Sequence, residues 1–508
     1  IPPFFGVPTT MQMTQSAKLS AFKAYDVRGP VPAQLHIDMV YAIGRAYARV
    51  IQPQGPVAIC YDIRDTSQDF ARVLAAGLNA EGVATRSIGL GGTEMVYHAA
   101  GQPGMGGGIM ITASHNPVGD NGIKMVRAES RPISGDDGLG EIEALTRQLL
   151  AEHAHALGQA DGYAFGPLTD GSQYRPNAAL HAPLDLHDSY IGKVHSFVDF
   201  PALQKALQAR ADAGRPLKLV VNAGNGCAGP TFDALVAGLA IDITRVFHEP
   251  NGQFPNGVPN PMLAKCQEDT ASVVRAEKAD LGIAWDGDFD RCFFFDETGA
   301  FIEGYYLVAL LGTQLLQHEA GSAVVYDTRL TWNTIAQVEA MGGRAVVSKC
   351  GHSFIKAALR SENAVYGGEM SAHHYFRDFH YCDSGMIPML LMLERLVAED
   401  QPLSSLVAKA QAAYPCSGEI NFKVTDAKAA IARVEAAVLA ELAAGRETLI
   451  TESALDGLSR EFPQWRFNLR MSNTEPVVRL NVEARADTAL MQARTAWLQG
   501  LLLAEQPA

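Results

Sequence analysis

Short apolar runs alternate with amphipathic stretches along most of this chain. Residues 36–51 place Val40, Ile43, Tyr47 and Val50 on one stripe, a helical period. Val57, Ala58, Ile59 and Cys60 form an apolar strand. Helical spacing returns over 69–81 and stops at Gly82, and 84–90 reads as a strand. The glycine-led run 106–111 predicts a buried strand ending in a polar loop. A second unit starts with a strand at 217–221, turns through 222–226 into a helix, and reaches strands at 241–247, 281–285 and 292–295. A third runs through a strand at 323–326, a helix near 333–341, a strand at 345–348, a helix near 353–361 and a strand at 364–366. Strands that alternate with helices predict parallel sheets covered on both faces. Beyond about 411 the order changes. A strand at 419–424, an Ala-rich helix at 426–444, adjacent strands at 465–471 and 477–485 and a last helix predict a separate α+β domain. Periodicity fades over 151–182, which reads as a connection between domains.

The length, 508 residues, is too great for one core and suggests about three or four domains. Hydrophobic content of 47% and charged content of 19% are those of a globular protein. The net charge of −14 argues against nucleic-acid binding, which wants a basic face. The seven cysteines include no C-x-x-C pair, and their odd number fits buried, reduced thiols in a cytoplasmic protein. No run of about 18 apolar residues predicts a membrane span. The first residues lack a basic region followed by an apolar one, so no secretory signal is expected. Met11 and Met13 are candidate natural starts, and residues 1–13 are left out of the fold reading.

Candidate chemistry gathers in four loops. The first, Thr112-Ala113-Ser114-His115-Asn116-Pro117, follows the strand 106–111. A Ser-His pair alone is a solvated turn. Here Asn121-Gly122-Ile123-Lys124 brings a cation to the same loop, and strand carboxyl ends are where open α/β sheets bind ligands. The second loop carries Asp286, Asp288 and Asp290 between two apolar strands. Three carboxylates this close repel one another unless a cation sits between them. Hard oxygen ligands suit Mg²⁺ or Ca²⁺ rather than zinc. The calcium-loop pattern fails, because Cys292 to Phe295 continues as a strand. Mg²⁺ keeps open positions for water and a phosphate oxygen. The third loop is Gly367-Gly368-Glu369-Met370-Ser371. The fourth, Arg470 to Pro476, offers a guanidinium fork, hydroxyls and free N–H groups, which are anion ligands.

In this order, with Tyr25-Asp26-Val27-Arg28-Gly29 ahead of them and Gly351-His352-Ser353 between, these loops resemble the α-D-phosphohexomutases, the phosphomannomutase and phosphoglucomutase family. The stretch 368–377, Gly-Glu-Met-Ser-Ala-His-His-Tyr-Phe-Arg, looks most like the bacterial phosphomannomutases that supply GDP-mannose for surface polysaccharide. The resemblance implies an α/β fold: three doubly wound mixed-sheet domains of similar topology and a C-terminal α+β domain, around a central cleft. The divisions expected are 14–182 with the phosphoserine loop, 183–297 with the metal loop, 298–410 with the sugar loop and 411–508 with the phosphate loop. It implies that Ser114 carries the phosphoryl group, and that Asp286, Asp288, Asp290 and a phosphoserine oxygen hold Mg²⁺. Lys124, Arg28 and His115 would handle the attacking hydroxyl's proton and the transferring charge, with the base left open. Tyr25, Arg291, Arg329, His352, Glu369 and Ser371 would meet the sugar. Arg470, Ser472, Asn473, Thr474 and Arg479 would hold the phosphate that is not reacting.

Some positions depart from the family pattern. Arg329 stands where relatives often carry Lys, and Gly89-Leu90-Gly91-Gly92-Thr93 lacks the usual prolines. Asp62 and Arg64 are either a structural ion pair or part of the site, and His352 and Tyr25 have a structural alternative too. The expected activity interconverts hexose 6-phosphate and hexose 1-phosphate, on mannose and also glucose, through a 1,6-bisphosphate that also primes the enzyme. The alternatives are a strict phosphoglucomutase, a non-catalytic sugar-phosphate binder and a phosphatase. The expected partners are small hexose phosphates, with no nucleic acid, membrane or obligate protein partner.

Overall fold

The computed structural model describes residues 19–135, 137–156, 171–471 and 477–504. Residues 1–13, and the phosphate-loop residues Ser472, Asn473 and Thr474, lie outside them. The first sheet takes β1 (Val27–Pro30), β2 (Val57–Tyr61), β3 (Thr85–Leu90), β4 (Gly107–Ile111), β5 (Asp120–Arg127) and β6 (His181–Pro183) in the order β1-β5-β4-β2-β3-β6. The second takes β7 (Leu217–Asn222), β8 (Ile241–Val246), β9 (Leu281–Trp285) and β10 (Cys292–Phe295) in the order β10-β9-β7-β8. The third takes β11 (Ala323–Asp327), β12 (Arg344–Ser348), β13 (Tyr366–Gly368), β14 (His374–Phe376) and β15 (Cys382–Asp383) in the order β12-β11-β13-β14-β15. The fourth is antiparallel: β16 (Ile420–Lys423), β17 (Thr451–Ser453), β18 (Leu458–Glu461), β19 (Trp465–Met471) and β20 (Val477–Ala484), in the order β16-β20-β19-β18-β17. The chain therefore has three mixed α/β sheets and a C-terminal α+β unit.

One local device recurs in the first three sheets. A buried parallel strand turns at its carboxyl end into an antiparallel neighbour. β4 passes to β5, β9 to β10, and β13 to β14. The three turns contain Ser114, Asp286 to Asp290, and Glu369 to Ser371 respectively. Apolar residues fix the strands, because every residue of β4, β9 and β10 is buried. The polar loops begin where no apolar residue continues the run.

Two expectations need correction. The stretch 151–182 is not wholly a connection. The helix Leu139–Ala156 runs into it, anchored by Ile142, Leu149 and Leu150 in the core, and β6 pairs with β3. The strand expected at 364–366 lies at Tyr366–Gly368 instead. Gly367 and Gly368 look like loop residues in sequence, yet their backbone pairs with β11 on one side and β14 on the other. The short strands β17 and β18 were not expected, because Thr-Glu-Ser and Leu-Ser-Arg-Glu carry little apolar signal.

One face of the first sheet shares a core with the second and third, while its other face has its own core around Ile43, Ile59 and Ile111. Cys60, Val96 and Met110 belong to the same buried cluster as Phe232, Trp285 and Phe294, and as Leu307, Leu311 and Met389. Burying one large aromatic contributes roughly 3 kcal/mol, so separating these units would be costly. The fourth sheet has its own core around Trp465, Phe467 and Leu498. A buried polar junction joins it to the third. Glu483 accepts from Thr331 N at 2.7 Å and from Arg466 Nη1 at 2.7 Å, and the Tyr305 hydroxyl donates to its other oxygen.

A single carboxylate ties the first three units together. Glu94, fully buried in the helix Thr93–Ala100, accepts from the Tyr190 hydroxyl and, at 2.6 Å, from the backbone N–H of Gly385. Burial pushes its carboxyl up to about 7, over the opposing effect of those hydrogen bonds. A carboxyl raised on folding carries no penalty below its unfolded value near 4. It loses stability as pH climbs through about 7. Glu94→Gln, which stays neutral, is expected to gain on wild type by about 2 kcal/mol between pH 5 and 8. Denaturant midpoints across that range check it, and a constant difference would refute it.

Candidate active site

Strand pairing brings the first cations to Ser114. β1 pairs with β5, with Arg28 opposite Gly122, so Arg28 and Lys124 flank the β4–β5 loop. Arg28 donates to Asp26 Oδ2 at 2.7 Å and to Asn116 Oδ1 at 2.9 Å. Ser114 holds a left-handed backbone, φ 50°, which costs an L-residue energy unless its surroundings enforce it. Arg64 supplies much of that enforcement. Its buried guanidinium donates to the carbonyls of Ser114 (2.9 Å), Asn116 (2.7 Å), Pro117 (2.7 Å) and Asp120 (3.0 Å). Asp62 accepts from the Arg64 N–H at 3.0 Å and from the Thr112 hydroxyl at 2.7 Å. Of the two readings open for Asp62 and Arg64, this geometry favours a scaffold for the loop.

The aspartate loop comes from the second sheet and meets Ser114 face on. Ser114 Oγ donates to Asp286 Oδ2 at 2.6 Å. Gly287 permits the approach, since a Cβ there would lie 2.6 Å from the Ser114 carbonyl oxygen. All three aspartates are buried, and they can present oxygens within 4.8 Å of one another. Part of the expected cation is protein. Lys124 Nζ lies 2.7 Å from Asp288 Oδ2 and 2.6 Å from Asp290 Oδ2, and Arg291 Nη2 lies 2.7 Å from Asp286 Oδ2. Asp288 Oδ1 and Asp290 Oδ1 remain buried without a partner. Buried anionic oxygens without donors are costly, so the loop fits a hard divalent cation.

These charges set the protonation of the site. Burial would lower the Lys124 ammonium, but Asp288 and Asp290 outweigh it and raise it. Lys124 is therefore a fixed cation. The Arg291 guanidinium, then burial and Arg28, hold His115 well below its usual value. Arg291 Nη2 sits 2.5 Å from His115 Nδ1; an arginine can only donate, so that nitrogen is the acceptor. Burial pulls His352 down to about 3 and His373 well below its usual value, so both imidazoles are neutral.

Ser114, His115, Arg28, Lys124, Asp290, Arg291, Tyr25, His352 and Arg479 line one cavity of ≈ 640 Å³, within the range of small-molecule sites. Asp286 and Asp288 stand behind its lining, Asp286 through Ser114 Oγ and Asp288 through Lys124 Nζ. The Tyr25 ring meets His352 edge to face, with centroids 5.3 Å apart.

Arg329, Glu369, Ser371 and Arg470 form an adjoining cluster. Arg329 lies 2.7 Å from Asp327, 3.7 Å from Glu369 and 3.4 Å from Glu419. Its Nη2 reaches Ser371 Oγ at 3.4 Å. Arg470 meets the same Glu419 at 3.0 Å. Arg470 and Arg479 are direct partners across β19 and β20. Like charges in that position repel, and Glu419, with Asp456 3.4 Å from Arg470, offsets them here.

Several cavity residues carried no assigned role in the sequence, among them His373, Asp383 and Tyr97. His373, two residues beyond Ser371 at the end of the turn closed by the Ala372 N–H on the Glu369 carbonyl, lies 3.7 Å from Asp290 Oδ1 and 3.8 Å from Glu369 Oε2, and so links the two clusters. Asp383, paired with the buried Lys356 at 2.7 Å, and Tyr97 gave no local signal.

Family profiles described as phosphoglucomutase/phosphomannomutase match residues 19–152 (alpha/beta/alpha domain I), 190–299 (domain II), 303–414 (domain III) and 419–496 (C-terminal domain). A phosphomannomutase of Escherichia coli is 48% identical over 495 residues, 96% of this chain and 100% of the relative. A Xanthomonas campestris protein named phosphohexose mutases is 50% identical over 484 residues, 95% of this chain and 99% of the relative. The crystal structure of a phosphoglucomutase/phosphomannomutase family protein from Burkholderia thailandensis has a TM-score of 0.77 at 29% identity, covering 95% of this chain and 98% of that one. Fold and relatives together define a hexose phosphate mutase, an isomerase. The chain belongs to the phosphoglucomutase/phosphomannomutase family. None of the helices among the described residues is long and apolar enough to cross a membrane.

Arg64→Lys provides a test of the loop scaffold. One ammonium cannot reach four carbonyls, and each unmet buried group costs about 1–3 kcal/mol. The variant is expected to lose about 3 kcal/mol of stability and to exchange amide hydrogens faster over residues 113–120. Unchanged exchange in that segment would mean that Arg64 does not hold the loop.

Proposed function

We propose that this mutase interconverts hexose 6-phosphate and hexose 1-phosphate, with mannose and also glucose as the sugar, through a phosphoserine at Ser114 and a 1,6-bisphosphate intermediate. Added hexose 1,6-bisphosphate acts as primer, and the mannose 1-phosphate feeds GDP-mannose and surface polysaccharide synthesis in the cytoplasm. We assign the phosphoserine loop to 14–182, the metal loop to 183–297, the sugar loop to 298–410 and the phosphate loop to 411–508. The observation that carries the chemistry is Ser114 Oγ, 2.6 Å from Asp286 in a cavity that also presents Lys124, Arg28 and Arg291. The sugar preference is supported by the relatives named phosphomannomutase.

In the forward step a sugar hydroxyl oxygen bonds to phosphorus as the bond from phosphorus to Ser114 Oγ breaks. Phosphoryl transfer depends on position and on charge neutralisation. Lys124 and Arg28 supply cations to the transferring group. Arg291 Nη2, 3.4 Å from Ser114 Oγ, faces the charge that builds on the leaving oxygen. Neither Lys124 nor Arg28 is a base here, because carboxylates hold both as cations. The neutral imidazoles of the wall are those of His115, His352 and His373; His115 Nδ1 already accepts from Arg291, which leaves His352 and His373 to take the hydroxyl proton. Asp286, Asp288 and Asp290, with a phosphoserine oxygen, would hold Mg²⁺, which adds Lewis-acid neutralisation of the phosphoryl oxygens.

The sugar hydroxyls meet Glu369 and Ser371, with Tyr25, Arg329 and His352 at the walls. The opposed pair Arg470 and Arg479, with Ser472, Asn473 and Thr474, receives the distal phosphate. The bisphosphate then turns in the cleft and returns its other phosphate to Ser114.

The test is a coupled assay with mannose 1-phosphate and glucose 1-phosphate, with and without a hexose 1,6-bisphosphate, on wild type and Ser114→Ala. Wild type is expected to turn over both sugars, with phosphate found on Ser114 by peptide mass analysis. Ser114→Ala is expected to fold and lose roughly 10³-fold or more of its rate. Phosphate on another residue, or an alanine variant at wild-type rate, would remove Ser114 from the mechanism.

The phosphate assignment has its own test. Removing a charge-assisted arginine contact of about 1.5–3 kcal/mol should raise KM roughly tenfold or more in Arg470→Ala. Escape of the intermediate should also make that variant more dependent on added bisphosphate. An unchanged KM together with an unchanged primer response would put the distal phosphate elsewhere.

A further inference from the structure

The metal loop leans on a residue of the first domain that the reaction described so far does not use. Thr93 opens the helix Thr93–Ala100 and is fully buried. Its hydroxyl donates to Asp288 Oδ2 at 2.5 Å, and its backbone N–H donates to the Asp288 carbonyl at 3.2 Å. Lys124 Nζ reaches that same Oδ2 at 2.7 Å and lies 3.4 Å from the Thr93 hydroxyl. Two donors therefore fill one oxygen of Asp288. The other, Oδ1, is buried and has no partner. The turn ahead of Thr93 makes this contact possible. A Cβ on Gly92 would lie 2.6 Å from the Asp288 carbonyl and 2.3 Å from the Phe289 ring.

We propose that Thr93 is a positioning residue for metal binding: with Lys124 it ties up Asp288 Oδ2, and so presents Oδ1 to the divalent cation. The inference rests on the assignment of Asp286, Asp288 and Asp290 as the metal ligands. The physical basis is general. A carboxylate turns about its last bond, and an outer hydrogen bond removes that freedom before the metal arrives. A lysine ammonium alone leaves the rotation loose, because three N–H groups on a flexible stem can follow either oxygen. A short hydroxyl on a helix start cannot follow. Thr93 also ties the first domain to the second, since it donates across their boundary.

The experiment measures divalent cation binding directly. Mn²⁺ is titrated into the purified, chelator-treated full chain and followed by electron paramagnetic resonance; Mg²⁺ is then titrated by calorimetry. Wild type is compared with Thr93→Val, which keeps the shape and removes the hydroxyl, and with Thr93→Ser, which keeps the hydroxyl. Thr93→Val is expected to bind both ions about tenfold more weakly, the range seen for loss of an outer hydrogen bond to a metal ligand. Thr93→Ser is expected to stay within about threefold of wild type, and excess Mg²⁺ to restore much of the turnover of Thr93→Val. Thr93→Ala, which adds no bulk, repeats the measurement if the valine variant misfolds. Equal affinity in wild type and the hydroxyl-free variants overturns the inference, even if those variants unfold earlier, because that is what a purely structural fastener would give. If wild type binds neither ion, the aspartate loop is not a metal site, and it is that assignment that falls.

Discussion

Three carboxylates packed into five residues and buried from water set the terms for much of this molecule. Asp286, Asp288 and Asp290 cannot share a dry loop without positive charge beside them. The chain's own answer draws on both its first and second domains. Lys124 comes from β5 and spans Asp288 and Asp290, while Arg291 covers Asp286 from the same loop. The first and second domains therefore close on each other at this point. Ser114 and Thr93 arrive on the same surface as two further donors, each to a different aspartate.

That closure explains the unusual backbone nearby. Ser114 sits in a left-handed conformation within a loop whose carbonyls are gathered by one guanidinium, Arg64. Gly287 removes the side chain that would hold the two loops apart. The strained serine and the close approach are two sides of one arrangement, and rigid surroundings keep it in place. The shared apolar core of the first three sheets supplies that rigidity. The fourth sheet stands on its own core and meets the third through Glu483, Arg466 and Tyr305. Its Arg479 lines the cleft, from the one unit that the shared core does not include.

The proposed reaction divides between these parts. In it the first two domains would hold the phosphoryl group and its neutralising cations. The third presents carboxylate, hydroxyl and neutral imidazole at the carboxyl ends of its strands, groups suited to a sugar rather than to a phosphate. The fourth contributes Arg470 and Arg479, whose mutual repulsion is relieved by an anion. Glu419 provides one in this structure, lying between Arg470 and Arg329.

Much of this was legible in the chain because the informative segments are local. A loop such as Asp286 to Arg291 carries its carboxylates within a few residues, and apolar strands on each side announce its burial. The alternation of strand and helix likewise gave three α/β units and an α+β end. Local signals failed where the fold overrode them: Gly367 and Gly368 looked like a loop and are paired strand, and polar β17 and β18 left no pattern. The partners that depend on distant segments were not legible. Arg64 gives no hint in sequence that it will gather carbonyls 50 to 56 residues away. Glu94 meets Tyr190 and Gly385 across 96 and 291 residues, and Thr93 meets Asp288 across 195. The sequence by itself determined which chemical groups are present and which strand ends display them, because period and spacing are properties of neighbouring residues. Only the tertiary structure decided which cation neutralises which aspartate and which oxygen is left free, because those pairings are made between segments that only the folded chain brings together.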